Sequence, residues 1–223
     1  MNEEHFNFLL NAEHVAQGNV GHNALVFGNM VQDIVNLPNI LDQIFNRNTL
    51  LEICNNANYC NLTLTVAILA WGKMRNNHAI NLFHNWHNLD PIINDLRFGH
   101  IQTRGESFEV FVHHRANGNL PGLGIAYFTK LISFLNPNLN GYILDQWTAK
   151  SINLLWNERL VQIENNCWVN DNNTPQIYEE FCQRIEHLAD NLAVTPFEAE
   201  ERIFSVGGVN PGPWREYLRH HYL

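Results

Sequence analysis

The stretch Leu120-Pro121-Gly122-Leu123-Gly124 decides the fold, because it joins two helical segments through a very short turn. The residues that follow, 125–135, are apolar at helical spacing and predict a helix. A turn of this kind leaves backbone N–H groups without partners at the start of the second helix, and these groups and the helix dipole bind anions such as phosphate. Gly122 and Gly124 carry no Cβ, so the backbone can approach a neighbour closely. The stretch predicts a phosphate-binding hairpin, although by itself it also fits a plain tight turn.

A second informative element follows the helix of the hairpin. The run Tyr142-Ile143-Leu144-Asp145 precedes a predicted helix over 146–156, and Asp145 falls at the start of that helix. One interpretation is a plain helix cap, since aspartate is a favoured N-cap residue. The other is a functional carboxylate at the mouth of a cleft, one connection away from the hairpin.

The remainder of the chain is predicted to be nearly all helix. Apolar residues at helical spacing predict helices over 31–45 (broken near Pro38), 62–74 and 178–192. Two further helix starts are predicted by Asp90-Pro91 and by Thr195-Pro196-Phe197-Glu198, where Glu198 can complete a capping box. The segment 108–112 fits a strand or a helix equally well, and the asparagine-rich stretch 164–174 is predicted to be a loop. We therefore expect an all-α fold.

Length and composition limit the class of protein. A chain of 223 residues fits one large domain or two small subdomains that share a cleft, and we take 1–223 as a single helical domain. The sequence has no run of about 20 apolar residues that would span a membrane. The acidic, polar start lacks the features of a signal peptide. We expect a soluble, cytoplasmic monomer.

The charge is distributed unevenly. A formal net charge of −9 argues against a protein that coats nucleic acid without specificity. Between residues 72 and 160, however, eight basic side chains face six acidic ones. An enzyme that holds DNA through one surface needs only a local positive patch. The candidate phosphate contacts in this stretch are Lys73, Arg75 and Arg115.

The cysteines and histidines do not indicate a metal site. The spacing of Cys54, Cys60, Cys167 and Cys182 matches no zinc pattern, and we expect free thiols. The twelve histidines include no H-E-x-x-H motif. We interpret them as structural or surface residues, and we expect no metal cofactor.

The hairpin, the helix after it and Asp145 together resemble the helix-hairpin-helix DNA glycosylases. The runs 122–130 and 142–145 are most similar to the 8-oxoguanine DNA glycosylase-like branch. The run 70–75 fits this branch too, and so does the pattern Tyr178, Thr195-Pro196, Glu200 and Phe204. The resemblance covers most of the chain from about Leu62 onward. It implies two helical subdomains that flank an active-site cleft, with the hairpin and catalytic region at about 104–156.

The resemblance also implies roles for matching residues. Asp145 matches the aspartate that stabilises positive charge on the sugar or orients the nucleophile. The hairpin backbone matches the phosphate-binding element, and its carbonyls often hold a monovalent cation in this family. The residues implied are Pro121, Gly122, Leu123 and Gly124 for phosphate, and Gly118, Leu120 and Leu123 for the cation.

Aromatic side chains are candidates for the base pocket or for a wedge that fills the gap left by a flipped base. Each is more often a core residue. The pocket candidates are Trp71, Tyr127 and Trp147, with Trp86 as a further wedge candidate.

One position departs from the family pattern. Bifunctional members carry a nucleophilic lysine where this chain has Ala126, which cannot form a Schiff base. Lys130 lies one helical turn later and faces the same side. We favour a monofunctional enzyme in which Asp145 assists water, while Lys130 as a nucleophile, or as a phosphate or pocket contact, stays open.

The implied function is excision of a modified base from DNA. The substrate is either an oxidised purine such as 8-oxoguanine, in repair, or a glucosylated hydroxymethylcytosine of phage DNA, in antiviral defence. Three alternatives remain: a non-catalytic DNA-binding module that kept the hairpin, a helical protein-interaction domain, and a metal-dependent hydrolase. Salt-dependent DNA binding separates the first from the second.

Overall fold

The structure is a computed structural model that describes residues 1–31, 37–206 and 210–222. Within these residues the secondary structure consists of α-helices, two short 3-10 turns and one small ribbon, which confirms the prediction of an all-α fold. The chain divides into two compact units: unit 1 comprises Met1–Gln17 and Tyr142–Leu223, and unit 2 comprises Gly18–Gly141. The helices are α1 (Glu3–Asn11), α2 (Ala24–Val31), α3 (Arg47–Cys54), α4 (Asn61–Trp71), α5 (Asn76–His84), α6 (Trp86–Arg97), α7 (Arg104–Ala116), α8 (Ile125–Leu135), α9 (Gln146–Trp156), α10 (Pro175–Leu192), α11 (Pro196–Phe204) and α12 (Pro213–His221). The ribbon pairs β1 (Ile163–Glu164) with β2 (Trp168–Val169).

Unit 2 is built around α4 and α8. Every residue of α4 from Thr63 to Trp71 is buried, which is typical of a helix that is apolar on all sides. The last eight residues of α8 are buried as well, and this helix contacts α3, α4, α6 and α7. The predicted helix over 125–135 is confirmed. The hairpin before α8 is therefore attached to the most buried helices of its unit.

Unit 1 is built around α9, which contacts α1, α10, α11, α12 and the ribbon. The apolar stripe of 178–192 forms the inner face of α10, as predicted. Thr195 caps α11, since its hydroxyl accepts from the Glu198 backbone N–H at 3.2 Å. The carboxylate of Glu198 pairs with Arg202 at 2.8 Å.

Two side chains hold the segment that leads to Asp145. This segment, 142–145, has no regular secondary structure, yet Tyr142, Ile143 and Leu144 are buried. The Tyr178 hydroxyl donates to the Tyr142 carbonyl at 3.0 Å. The buried Glu200 carboxylate accepts from the Ile143 backbone N–H at 3.1 Å. Because buried backbone groups need partners, α10 and α11 fix the path of the chain just before the candidate catalytic residue.

The prediction that a helix starts at Asp90-Pro91 was wrong. Helix α6 begins at Trp86 and contains Pro91 in its interior. The Asp90 carboxylate accepts from the Asn61 side chain at 2.8 Å, and Asn61 in turn accepts from Arg97 at 2.6 Å. The acceptor that looked like a helix cap is therefore used in a network between α4 and α6.

Three other predictions are changed by the structure. The predicted helix over 31–45 is wrong for 37–45, where Asn39–Leu41 form a 3-10 turn; α2 ends at Val31, and 32–36 lie outside the described residues. The segment 108–112 is helical within α7. The predicted loop over 164–174 contains part of the ribbon, because Asn165 and Asn166 adopt φ values of 48° and 58°, which suit a tight hairpin turn.

All four cysteines are free thiols, as predicted. The described residues contain no grouping of three or more His, Cys, Asp or Glu side chains suited to holding a metal ion. None of the helices in the described ranges has the length and apolar character needed to cross a membrane.

We expect Tyr178→Phe to lower the free energy of unfolding by about 1–3 kcal/mol, because the buried Tyr142 carbonyl loses a hydrogen-bond donor. Urea denaturation followed by circular dichroism measures this loss. Tyr59→Phe is the matched control, since Tyr59 is half-buried and its hydroxyl makes no hydrogen bond within the described residues. Equal stability of the two variants would contradict the role assigned to Tyr178.

Candidate functional site

Asp145 is the N-cap residue of α9, as its position in the sequence predicted. Its Oδ1 accepts from the Trp147 backbone N–H at 2.7 Å and from the Thr148 N–H at 3.1 Å. The Thr148 hydroxyl lies 3.0 Å from the Asp145 backbone nitrogen and accepts from it, which completes a capping box. One carboxylate oxygen is thus held by the helix that the residue begins.

The other carboxylate oxygen of Asp145 differs from Oδ1 in its contacts. Within the described residues Oδ2 accepts no hydrogen bond, and the side chain is half-buried. Oδ1 faces the N–H groups of the first helical turn, at the positive end of the α9 dipole. The arrangement leaves a fixed negative charge with one oxygen free to face a substrate.

A cluster of cations surrounds Trp147, two residues after Asp145. The Arg215 guanidinium carbon lies 4.5 Å from the centre of the indole, the Lys150 Nζ 4.7 Å and the Arg219 guanidinium carbon 5.7 Å. Burial lowers the pKa of Arg215 to about 10, and the Asp145 charge opposes this shift. Burial also lowers the pKa of Lys150, and Cys167 and Asp145 oppose it. The charge of the candidate catalytic carboxylate therefore stabilises the protonated forms of both Lys150 and Arg215.

Sequence reasoning missed this cluster, which we call the Trp147 cluster. It comprises Trp147, Lys150, Arg215 and Arg219. The signal for α12 was present, because Gly212-Pro213 is a favourable helix start and Trp214 and Leu218 lie four residues apart. The same spacing separates Arg215 from Arg219. Only folding brings these residues to α9, since Arg215 is far from Trp147 in the sequence.

In unit 2, the hairpin packs against the first turn of α5. Gly122 has a φ of +83°, and a Cβ added there would lie 2.6 Å from the His78 carbonyl oxygen. Both the backbone conformation and the close packing require glycine at this position. The close approach that the sequence predicted for Gly122 therefore includes a neighbouring helix of the same unit.

The hairpin uses some of its own N–H groups. The Leu123 N–H donates to Leu120 at 3.3 Å and the Gly124 N–H donates to Gly122 at 3.2 Å. Gly124 is the N-cap of α8 and supplies no side-chain cap. The amides of Ile125 and Ala126 come first in the helix and have no intrahelical acceptor, so they are the groups available to an anion.

Lys73 and Arg75 lie at the corner between α4 and α5. The Met74 N–H donates to Leu69 at 3.0 Å and the Lys73 N–H donates to Ala70 at 3.1 Å, the hydrogen bonds of a Schellman motif. Lys73 occupies the left-handed position of this motif, with a φ of 54°, where glycine is usual. An exposed lysine in this strained position is consistent with a functional contact.

The same corner meets the first turns of α8. Burial raises the pKa of Tyr127 above its usual value, while a hydrogen bond with the Arg75 backbone and the Arg75 charge act in the opposite direction. Lys130 is 8% exposed, and its Nζ donates to the Ala126 carbonyl at 2.8 Å. A Cβ at Gly72 would lie 2.8 Å from the Lys130 Cδ. Unit 2 thus brings Lys73, Arg75, Tyr127 and Lys130 to the hairpin end of α8.

Unit 2 contains three other candidate residues, whose functional roles stay predictions. Arg115 lies on α7, with its guanidinium carbon 6.0 Å from the Phe128 ring. Trp71 is 5% exposed and meets Phe134 edge-on, and its indole N–H has no hydrogen-bond partner in the described residues. Trp86 is half-buried and stacks on Phe83.

Comparison with known proteins identifies one family. The model of the family described as "Putative 8-oxoguanine DNA glycosylase OGG-like protein" matches residues 38–204. This range covers most of both units, including the hairpin, Asp145 and α9. No curated protein and no solved structure matches the chain.

We expect Lys73→Gly to raise the free energy of unfolding by about 1 kcal/mol, because glycine adopts the left-handed conformation without strain. The same change removes a candidate phosphate contact, so DNA affinity falls and the salt slope of binding decreases by about one. Urea denaturation and fluorescence anisotropy measure the two effects. Lys73→Gln is the control, which removes the charge but keeps the strain. DNA affinity unchanged in both variants would remove Lys73 from the binding surface.

We expect Gly72→Ala to displace the Lys130 ammonium from the Ala126 carbonyl, because the added methyl group occupies the space of the lysine side chain. Acylation of lysines followed by mass spectrometry should detect a several-fold rise in labelling of Lys130. Gly105→Ala is the control, since a Cβ at Gly105 meets no atom within 4 Å. The same labelling in both variants would mean that Gly72 does not hold Lys130.

Proposed function

Because the chain belongs to the OGG-like family of the DNA glycosylase superfamily, we propose that it excises a modified base from DNA by cleaving the N-glycosidic bond. The observation that carries this proposal is the geometry of Asp145, whose Oδ1 accepts from two backbone N–H groups while Oδ2 accepts no hydrogen bond from the described part of the chain. Asp145 also stands where the family places its aspartate. The product is an abasic site.

The reaction needs a base that is out of the helical stack. An enzyme cannot reach the bond inside a duplex, so the nucleotide is flipped out at a cost of a few kcal/mol. Phosphate contacts hold the distorted strand in register. The amides of Ile125 and Ala126, together with Lys73 and Arg75, supply such contacts in unit 2, and Arg115 is a further candidate.

Asp145 acts on the sugar. As the base leaves, positive charge develops on the sugar ring, and a fixed carboxylate stabilises this charge electrostatically. Preorganisation by the capping box means that the carboxylate does not reorient during the reaction. Water then adds to C1′ and completes the hydrolysis.

The nucleophile is water rather than lysine. Ala126 stands where bifunctional relatives carry the Schiff-base lysine, and alanine has no amine. Lys130 reaches back to this turn of α8, where its Nζ donates to the Ala126 carbonyl at 2.8 Å. This hydrogen bond holds Nζ against its own helix, so Lys130 fits a pocket or phosphate contact better than a nucleophile, which needs a free lone pair. Lyase activity through Lys130 is the second mechanism to be tested.

We derive two substrate classes, one from the family and one from the departure of this chain from the family pattern at Ala126. One is an oxidised purine such as 8-oxoguanine, which the family description names, in DNA repair. The other is a glucosylated hydroxymethylcytosine of phage DNA, in antiviral defence, since a branch without the lysine need not keep the purine specificity. Tyr127, Trp147 and Trp71 remain the candidate pocket aromatics. A monomer in the cytoplasm remains the expected state.

A monovalent cation at the hairpin is a further part of the proposal. The carbonyls of Gly118, Leu120 and Leu123 are its candidate ligands. The Leu120 carbonyl accepts one long hydrogen bond of 3.3 Å and keeps a second lone pair, which is compatible with a cation. No other cofactor is proposed.

We expect Asp145→Asn to reduce base release at least about 100-fold without unfolding the protein. Asparagine caps helices as well as aspartate, so the substitution removes the charge and keeps the cap. The assay incubates protein with duplexes that contain 8-oxoguanine, uracil or alkylated bases and with phage DNA that carries glucosylated cytosine, and it scores abasic sites. Base release that persists in Asp145→Asn would exclude Asp145 as the catalytic carboxylate. Tight DNA binding without base release on every substrate would favour the non-catalytic DNA-binding module.

Borohydride trapping separates the two mechanisms. We expect no covalent adduct with DNA from the unmodified chain, because water is the nucleophile. An adduct that is lost in Lys130→Met would instead establish Lys130 as the nucleophile.

A further inference from the structure

The Trp147 cluster concentrates positive charge in an acidic part of the chain. Unit 1 has fifteen acidic and six basic residues, a formal charge of −9, whereas unit 2 has seven of each. Three of the six basic residues of unit 1 face the single indole of Trp147. Their convergence beside Asp145 is therefore not a result of general composition.

Two of these cations are buried, and each donates to a single carbonyl group within the described residues. Arg215 is 2% exposed, and its Nε and one Nη donate to a single carbonyl, that of Phe204. Lys150 is 7% exposed and donates to the Asn166 carbonyl at 2.7 Å, which uses one of its three N–H groups. A buried charge is stable only when it is paired and hydrogen-bonded. An anion at this place would accept from further N–H groups of both side chains.

Among the described residues, fewer carboxylates than cations interact with the cluster. Asp145 acts electrostatically on both Lys150 and Arg215. Glu216 forms an ion pair with Arg219 at 2.8 Å. The other electrostatic neighbour of Lys150 is the Cys167 side chain. Three cations against two carboxylates leave one positive charge, and one phosphodiester group carries one negative charge.

We propose that the Trp147 cluster binds a backbone phosphate of the DNA strand, as a second phosphate site separate from the hairpin. The side chains of Arg219 and Glu216 are 40% and 46% exposed, so the cluster opens to solvent at this pair. An exposed ion pair of this kind is weak, and a phosphate can displace Glu216 from Arg219. Lys150 and Arg215 lie behind it and neutralise the phosphate from the interior.

This inference rests on the proposed function and adds to it. It places a phosphate contact in the unit that carries Asp145, whereas the hairpin contact belongs to unit 2. A strand held by its phosphate beside Asp145 has its sugar close to the carboxylate, which limits the motion of the reacting group.

The test compares two arginine–glutamate pairs of unit 1. Arg219–Glu216 belongs to the cluster, and Arg202–Glu198, also at 2.8 Å but half-buried, is the control pair on α11. Fluorescence anisotropy measures the affinity for a short duplex with an abasic-site analogue at several concentrations of KCl, from about 50 to 200 mM. We expect Arg219→Gln to lower the affinity about three- to tenfold and the salt slope by about one, while Arg202→Gln changes neither.

Substitution of Glu216, the acidic partner of Arg219, gives a test in which the expected change in DNA affinity has the opposite sign. We expect Glu216→Gln to raise the affinity severalfold, because Arg219 loses its competing carboxylate, and Glu198→Gln to have no such effect. A purely structural role for the cluster does not predict tighter binding in any variant. Equal effects of the two arginine variants, or of the two glutamate variants, would overturn the proposal.

The outcome is separable from that of the proposed function. If Lys73→Gln weakens binding and Arg219→Gln does not, the cluster proposal fails while the DNA-binding function stands. If the unmodified chain has no salt-dependent affinity for DNA, both fail. Base release in the glycosylase assay bears on the proposed function alone.

Discussion

The cap that Asp145 supplies to α9 is the constraint on which unit 1 depends. Its Oδ1 accepts from two N–H groups of the first turn, which requires extended backbone at Asp145. The preceding segment is buried and irregular, and it cannot satisfy its own backbone groups. Tyr178 on α10 and Glu200 on α11 supply the missing partners. The packing of α10 and α11 against α9 therefore serves to place one side chain.

Charge placement gives the two units different tasks. Unit 2 has no net formal charge, and Lys73 and Arg75 are exposed cations at its α4–α5 corner. Unit 1 is strongly acidic and concentrates half of its cations around one indole. Local placement, and not net charge, thus reconciles an acidic protein with a polyanionic substrate, because screening limits electrostatic interactions to short range.

The sequence-based predictions of helices and helix caps were confirmed where the structure depends on residues that are close together in the sequence. The apolar run of α4, the stripe of α10, the cap at Thr195 and the cap at Asp145 all depend on residues within one or two helical turns. The prediction failed at Asp90, whose carboxylate bonds to Asn61 on another helix. It also failed in 37–45, where helical spacing did not suffice to form a helix. A tertiary hydrogen bond can outweigh a local cap signal because both use the same acceptor.

The sequence by itself determined the helical class, the hairpin, the position of Asp145 at a helix start and the family resemblance, since each is written in a short run of residues. Only the tertiary structure decided that Gly122 packs on His78, that Gly72 makes room for Lys130, and that Arg215 and Arg219 meet Trp147. These contacts join residues far apart along the chain. Local propensity does not encode them, because they arise from the burial of helix faces against one another.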